Sequence, residues 1–156
     1  MKNIFLIILG VMLISSLVAQ DNLTRHRVCF DLGGSASMAN IEYQFQIHSN
    51  ERHSVFAAAG MGMNLTNFTF PLGLNYGFGY ENQLMLGLYF IPKFNSAILS
   101  STADPIQYLF SPKFGFRKIL NGKKNSHLIQ VFFSPSFDLQ SGTMLPGAGL
   151  GFGLYL

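Results

Sequence analysis

The chain has 156 residues, a length that favours one domain. Hydrophobic residues make up 49% of it and charged residues only 11%, less than half of the roughly 25% with which a soluble domain coats its surface. The net charge of +3 is small and scattered, and the largest basic cluster, Lys118, Lys123 and Lys124, sits at a turn; this speaks against nucleic-acid binding, which needs a clustered basic face.

In chain order, residues 1–19 read as a secretory signal peptide. Lys2 is the positive segment, Ile4 to Leu17 the apolar one, and Ser15, Ser16 and Ala19 are the small residues before a cut after Ala19. A single-span anchor is the competing reading, but the stretch is short for one. Residues 20–26 follow as a short periplasmic segment, and 27–156 as the folded domain. No later run approaches the ~18 apolar residues of a spanning helix. Cys29 is the only cysteine, so no internal disulfide can form, and it lies too far past the apolar segment to be a lipoprotein's acylated cysteine.

Turn signals divide the rest into eight segments of period two, the signature of strands: 27–34, 39–48, 54–64, 68–80, 82–93, 107–119, 126–138 and 146–156. Each has a large apolar face and a small or polar one. In the second, Ile41, Tyr43, Phe45 and Ile47 oppose Glu42, Gln44, Gln46 and His48. In the fifth, Leu84, Leu86, Leu88 and Phe90 oppose Gln83, Met85, Gly87 and Tyr89. In the last, Ala148, Leu150, Phe152, Leu154 and Leu156 oppose Gly147, Gly149, Gly151, Gly153 and Tyr155.

The Gly, Ser, Gln and Asn face is too poor in charge for a soluble exterior but suits the tight interior of a small barrel. The apolar face then meets lipid, where Lys or Arg costs about 2–4 kcal/mol at the bilayer midplane. Lys113 and Arg117 accordingly fall on the Gly/Ser face, and Lys118 meets the apolar face only at a strand end. The sequence therefore predicts an all-β chain, a single eight-stranded antiparallel up-and-down transmembrane β-barrel. A soluble lipocalin-like barrel, with the apolar face inward, is the alternative.

With both ends periplasmic, the turns after strands 2, 4 and 6 are periplasmic and short, and Asn121-Gly122 is a hairpin signal. The longest connection, about Asn95 to Ile106, is external. All six prolines (Pro71, Pro92, Pro105, Pro112, Pro135, Pro146) then fall toward the external rim and all four histidines (His26, His48, His53, His127) at the periplasmic one.

The stretches FPLGLNYGFGY (Phe70–Tyr80), SPKFGFRKI (Ser111–Ile119), VFFSPSF (Val131–Phe137) and terminal GFGLYL make the chain resemble the OmpA/OmpX-like outer-membrane barrels of Gram-negative bacteria, in particular the "outer membrane protein beta-barrel domain" type. The ending, with Leu150, Phe152, Leu154 and Leu156, also resembles the terminal signal read by the outer-membrane assembly machinery, though it closes on Leu156 where Phe is commoner. The resemblance implies an integral outer-membrane location, with membrane lipid and that machinery as partners. Such barrels serve as anchors, adhesins, defence proteins or lipid-modifying enzymes, so it fixes location better than activity.

Among candidate sites, Asp31 and Glu42 are the sharpest pair. A tight hairpin about residues 35–38 would set them opposite each other inside. One reading is a paired-carboxylate site; the favoured one is a structural ion network of Asp31, Glu42, Lys113 and Arg117, with Arg27 beside it, since buried charges must be paired. Ser134, Ser136 and Asp138 near the external end of strand 7 suggest a lipid deacylase, but a serine nucleophile needs a base in reach and every histidine falls at the far end. The histidines could form a rim metal site; isolated surface histidines are commoner. The Asn-X-Ser/Thr matches at Asn22, Asn64 and Asn67 are incidental in a barrel of this kind, and Gly147–Gly153 lacks the strand–loop–helix context of a phosphate cradle. The expectation is a non-enzymatic barrel with a filled polar lumen, no cofactor, no catalytic residue and a structural or surface-interaction role. A lipid-modifying barrel enzyme and a narrow solute pore are the alternatives.

Overall fold

The computed structural model describes residues 26–95, 106–121 and 126–156. The expected signal peptide, the Asn22 match, Pro105, the long connection at 96–105 and the turn at 122–125 lie outside the described residues. Eight antiparallel strands form the barrel: β1 His26–Gly33, β2 Ala39–Ser49, β3 His53–Met63, β4 in two pieces (Asn67–Thr69 and Leu72–Phe78), β5 Asn82–Asn95, β6 Ile106–Asn121, β7 in two pieces (Ser126–Phe133 and Ser136–Asp138) and β8 Ala148–Tyr155. Each pairs with its sequence neighbours, and β1 closes on β8 from Arg27↔Tyr155 to Gly33↔Gly149.

Prolines explain the two interruptions. Gly62↔Thr69 and Ala59↔Leu72 belong to one unbroken register, so β4 is a single strand with a gap at Phe70-Pro71. In β7, Phe114↔Phe133 and Phe110↔Phe137 likewise share one register, which sets Pro135 across from Pro112. Neither proline has an N–H, so the ladder lapses there. The proline carbonyls stay bonded: the Ser111 hydroxyl donates to Pro135 O at 2.9 Å, and the Gly60 N–H, in register across from Pro71, donates to Pro71 O at 2.9 Å. After β7 the chain turns back, and Met144–Leu145 pairs with Phe137 and Ser136. Pro146 and Gly147 end that hairpin, so the last strand begins at Ala148, two residues later than the alternation suggests.

The described turns after β2 and β4, with β6 leading into β7, lie at the rim that also holds His26 and Tyr155. The opposite rim carries the β1–β2 loop, entered through Gly33 and Gly34 at φ 85° and 112°, a left-handed conformation that glycine adopts without strain. It also carries the Ser136–Leu145 hairpin.

The facing is inverted relative to a soluble barrel. Leu84 and Leu88 are 60% and 56% exposed, while Arg117 is fully buried and Glu42 is 1% exposed. A lipocalin-like barrel would show the reverse; this is a transmembrane barrel, apolar outside and polar within. One side chain departs from the expected facing. A β-bulge in β2 pairs Gln46 with Phe56 but His48 with Val55. The extra residue, Ile47, turns His48 away from the Glu42 face and onto the outer one.

Candidate functional site

The lumen holds the chain's buried ionic chemistry. Lys113 Nζ lies 2.5 Å from Asp31 Oδ2, both side chains at most 5% exposed, and sits 4.1 Å over the Phe132 ring. The Gln130 amide donates to Asp31 Oδ1 at 2.6 Å. The same amide accepts from Arg117 Nε and Nη2 at 3.2 and 3.0 Å, and Arg117 Nη2 also meets Met85 Sδ at 2.8 Å. The register accounts for this: Asp31, Gly151, Gln130 and Arg117 form one row across β1, β8, β7 and β6. Gly151 is the spacer in that row. A Cβ there would stand 2.0 Å from Asp31 Oδ1 and 2.7 Å from Gln130 Cγ.

Glu42 belongs to a second cluster. Its Oε1 accepts from the Gln44 amide, from the Tyr89 hydroxyl at 2.9 Å and from Asn75 Nδ2 at 3.4 Å. Gln44 Oε1 accepts from Arg27 Nε at 2.5 Å, and the Arg27 guanidinium lies 3.5 Å over the Phe56 ring. The same device thus occurs twice, an arginine joined to a carboxylate through a glutamine whose carbonyl accepts and whose NH₂ donates.

Asp31 and Glu42 do not face each other. Asp31 pairs with Asn40 and Glu42 with Cys29. The Gly33 N–H closes on Met38 O at 2.8 Å, so the loop occupies residues 34–37 and the pairing moves by two. Of the four expected network residues, Asp31 and Lys113 form an ion pair, Arg117 reaches Asp31 through Gln130, and Glu42 stands apart. Asp31–Lys113 is the one ion pair among the described residues. Gln44, Gln130, Asn75 and Tyr89 were missed as members. Their inward parity was visible, but a neutral amide reads as filler until its register to an arginine is known.

Two cavities flank a closed layer. The long-loop side holds space for about 40 Å³, lined by Asp31, Asn40, Glu42, Thr69, Tyr89 and Lys113 among others, which is room for a few water molecules. The short-turn side holds about 180 Å³ around Phe56, Gln83 and Tyr155. Arg27, Gln44, Met85, Arg117, Leu128 and Gln130 line neither cavity and are buried between them.

The candidate serines Ser134 and Ser136 lie at the rim opposite the histidines. At the long-loop rim, Ser136 and Ser35 share a 2.5 Å hydroxyl contact and Ser134 and Ser111 one of 2.8 Å. Asp138 caps the following turn: the Gln140 N–H and then the Ser141 hydroxyl, at 2.9 and 2.8 Å, hold its carboxyl below the usual aspartate range. His26, His53 and His127 lie in the first two residues of their strands at the other rim. No group of three or more His, Cys, Asp or Glu among the described residues is arranged to hold a metal. Cys29 is a buried free thiol. Leu150, Phe152 and Leu154 face outward on β8, and Leu156 is exposed beyond it.

No family model matches the sequence, and no curated protein matches it. Among solved structures, the N-terminal β-barrel domain of Pseudomonas aeruginosa OprF is similar at a TM-score of 0.50 and 11% identity, over 82% of this chain and 94% of that one. At that identity the likeness is one of fold: the chain shares the β-barrel architecture of that domain.

Proposed function

We propose that the protein is an integral outer-membrane barrel whose filled lumen serves stability, and whose role is structural or one of surface interaction rather than catalysis. The buried layer between the two lumen cavities carries this reading, because a side-chain-filled interior is what an eight-stranded barrel accommodates. The apolar exterior supports a bilayer setting, with the short-turn rim periplasmic and the long-loop rim external. Separation of Ser134 and Ser136 from every histidine supports a non-catalytic role. The outward row Leu150, Phe152 and Leu154, ending on Leu156, fits recognition by the assembly machinery.

Three measurements test the proposal. The expressed protein should sediment with outer membranes and resist carbonate extraction. Purified barrel in planar bilayers should show no steady conductance; reproducible unitary steps would favour the narrow-pore reading instead. Altered outer-leaflet lipid in a deletion strain would favour the enzyme.

A further inference from the structure

A belt of hydrogen-bond donors encircles the outer face at the short-turn rim, and the barrel's interior has no use for it. Three of the four strands that rise from this rim carry a histidine at their start: His26 and His53 are the first residues of β1 and β3, and His127 is the second of β7. Each has the inward-facing Arg27, Ser54 or Leu128 as its next residue, so all three point outward. Directly across stand Phe45, Phe78 and Leu154. Two residues further up those partner strands stand Tyr43, Tyr76 and Phe152.

The local geometry repeats. His26 Nδ1 is hydrogen-bonded to the Tyr43 hydroxyl, with its ring 5.3 Å from Phe45. His53 Nδ1 is 2.5 Å from the Tyr76 hydroxyl, with its ring 5.1 Å from Phe78. At the third position Phe152 replaces the tyrosine; His127 stacks on it at 5.9 Å, and its Nδ1 has no hydrogen-bond partner among the described residues. The fourth rising strand, β5, starts at Asn82, with the exposed Lys118 across from it. The tip of the β2–β3 turn adds Arg52, which donates to the Tyr80 hydroxyl at 3.3 Å.

Counting protons shows what the histidine–tyrosine pairs leave over. A neutral imidazole and a phenol carry one N–H and one O–H, and the bond between them uses one. One donor therefore remains on each pair, on the lipid side of the barrel. A bare N–H or O–H in hydrocarbon costs several kcal/mol, so it must be met by an acceptor at the bilayer–water boundary. Besides water, phospholipid phosphates and ester carbonyls are the acceptors there, and Arg52, the residue before His53, adds positive charge beside one of the pairs.

We propose that this belt binds the phosphodiester headgroups of the leaflet at the short-turn rim, with His26–Tyr43 and His53–Tyr76 as two donor sites on neighbouring strand pairs and Arg52 as a charge partner of the second. The inference rests on the membrane reading above.

Native mass spectrometry of detergent-solubilised barrel tests it, with phosphatidylglycerol and a diacylglycerol of the same chains as probes. Wild type should retain phosphatidylglycerol preferentially. The H26F/H53F variant keeps the rings but removes the nitrogens, and should lose at least about fivefold of that preference, the loss expected for two hydrogen bonds. H26Q/H53Q keeps an N–H at each place and should retain most of it. Heat-modified gel mobility confirms that each variant is folded. Equal retention of both lipids by wild type, or unchanged preference in folded H26F/H53F, would overturn the site. Displacement of the lipid by millimolar inorganic phosphate would overturn the commitment to a lipid headgroup. A wild-type chain absent from membranes fails the membrane reading itself, a result separable from loss of headgroup preference in a barrel that does insert.

Discussion

Replacing Lys113 with Met should destabilise the barrel far more than the loss of one surface ion pair would. At 2.5 Å and an effective dielectric near 20, the gross attraction to Asp31 is roughly 7 kcal/mol. Desolvating the two groups offsets several kcal/mol for each, so the intact pair contributes little net stability. Its removal by halves is different. K113M leaves Asp31 charged and buried with the Gln130 amide as its remaining donor, and breaking a buried pair in this way costs about 3–5 kcal/mol. D31N/K113M removes both charges and should cost clearly less than the two single changes together, with a coupling of about 2 kcal/mol or more. Urea unfolding in phospholipid vesicles, followed by far-ultraviolet circular dichroism, measures all three; loss of heat-modified gel mobility is a rapid parallel. A K113M barrel within about 0.5 kcal/mol of wild type would refute the reasoning, as would a double variant whose loss equals the sum.

Three further outcomes follow from the geometry. Gly151→Ala should cost about 1–3 kcal/mol through overpacking, because its Cβ would meet Asp31 Oδ1 and Gln130 Cγ; the same unfolding assay would show no loss if the row has slack. Leu86→Arg, on the outward face of β5, should cost about 2–4 kcal/mol in a bilayer, and a neutral effect would count against that face meeting lipid. Asp138 is held below the ordinary aspartate range by Gln140 and Ser141, so its cap is intact above the unfolded-state value and is lost as pH falls through the lower folded-state one. The Gln140 and Ser141 amide NMR signals should therefore titrate below the ordinary aspartate midpoint and stop titrating in D138N; a midpoint at or above the ordinary one would refute the cap.

The barrel was legible because period two and charge placement act on every strand at once. Lys113 and Arg117 share a face with Gly115, and that parity decides which side is wet whatever the strand ends turn out to be. The strand ends were less legible. Pro71 and Pro135 interrupt the ladder without shifting its register, an outcome that depends on what lies across the barrel, Pro112 in the second case. Cross-strand contacts were least legible, since they depend on loop length. The β1–β2 loop begins one residue earlier than a turn at 35–38 would, and the resulting register separates Asp31 from Glu42. The bulge at Ile47 did the same for His48, for which local sequence carries no signal.

The two Arg–Gln–carboxylate chains have a common physical logic. Arg27, Lys113 and Arg117 face Asp31 and Glu42 in the lumen, an excess of one positive charge, and only one direct ion pair forms. An interposed glutamine lets an arginine act on a carboxylate three strands away in one chain and on the adjacent strand in the other, without carrying either group across the lumen. It also satisfies two buried charges with one neutral side chain, which avoids desolvating a third ion. The guanidiniums are then free to lie against Phe56 and Met85, and this packing closes the layer between the cavities. Gln44→Leu or Gln130→Leu would leave an arginine and a carboxylate without their shared link, so each should destabilise the barrel even though no charge is changed.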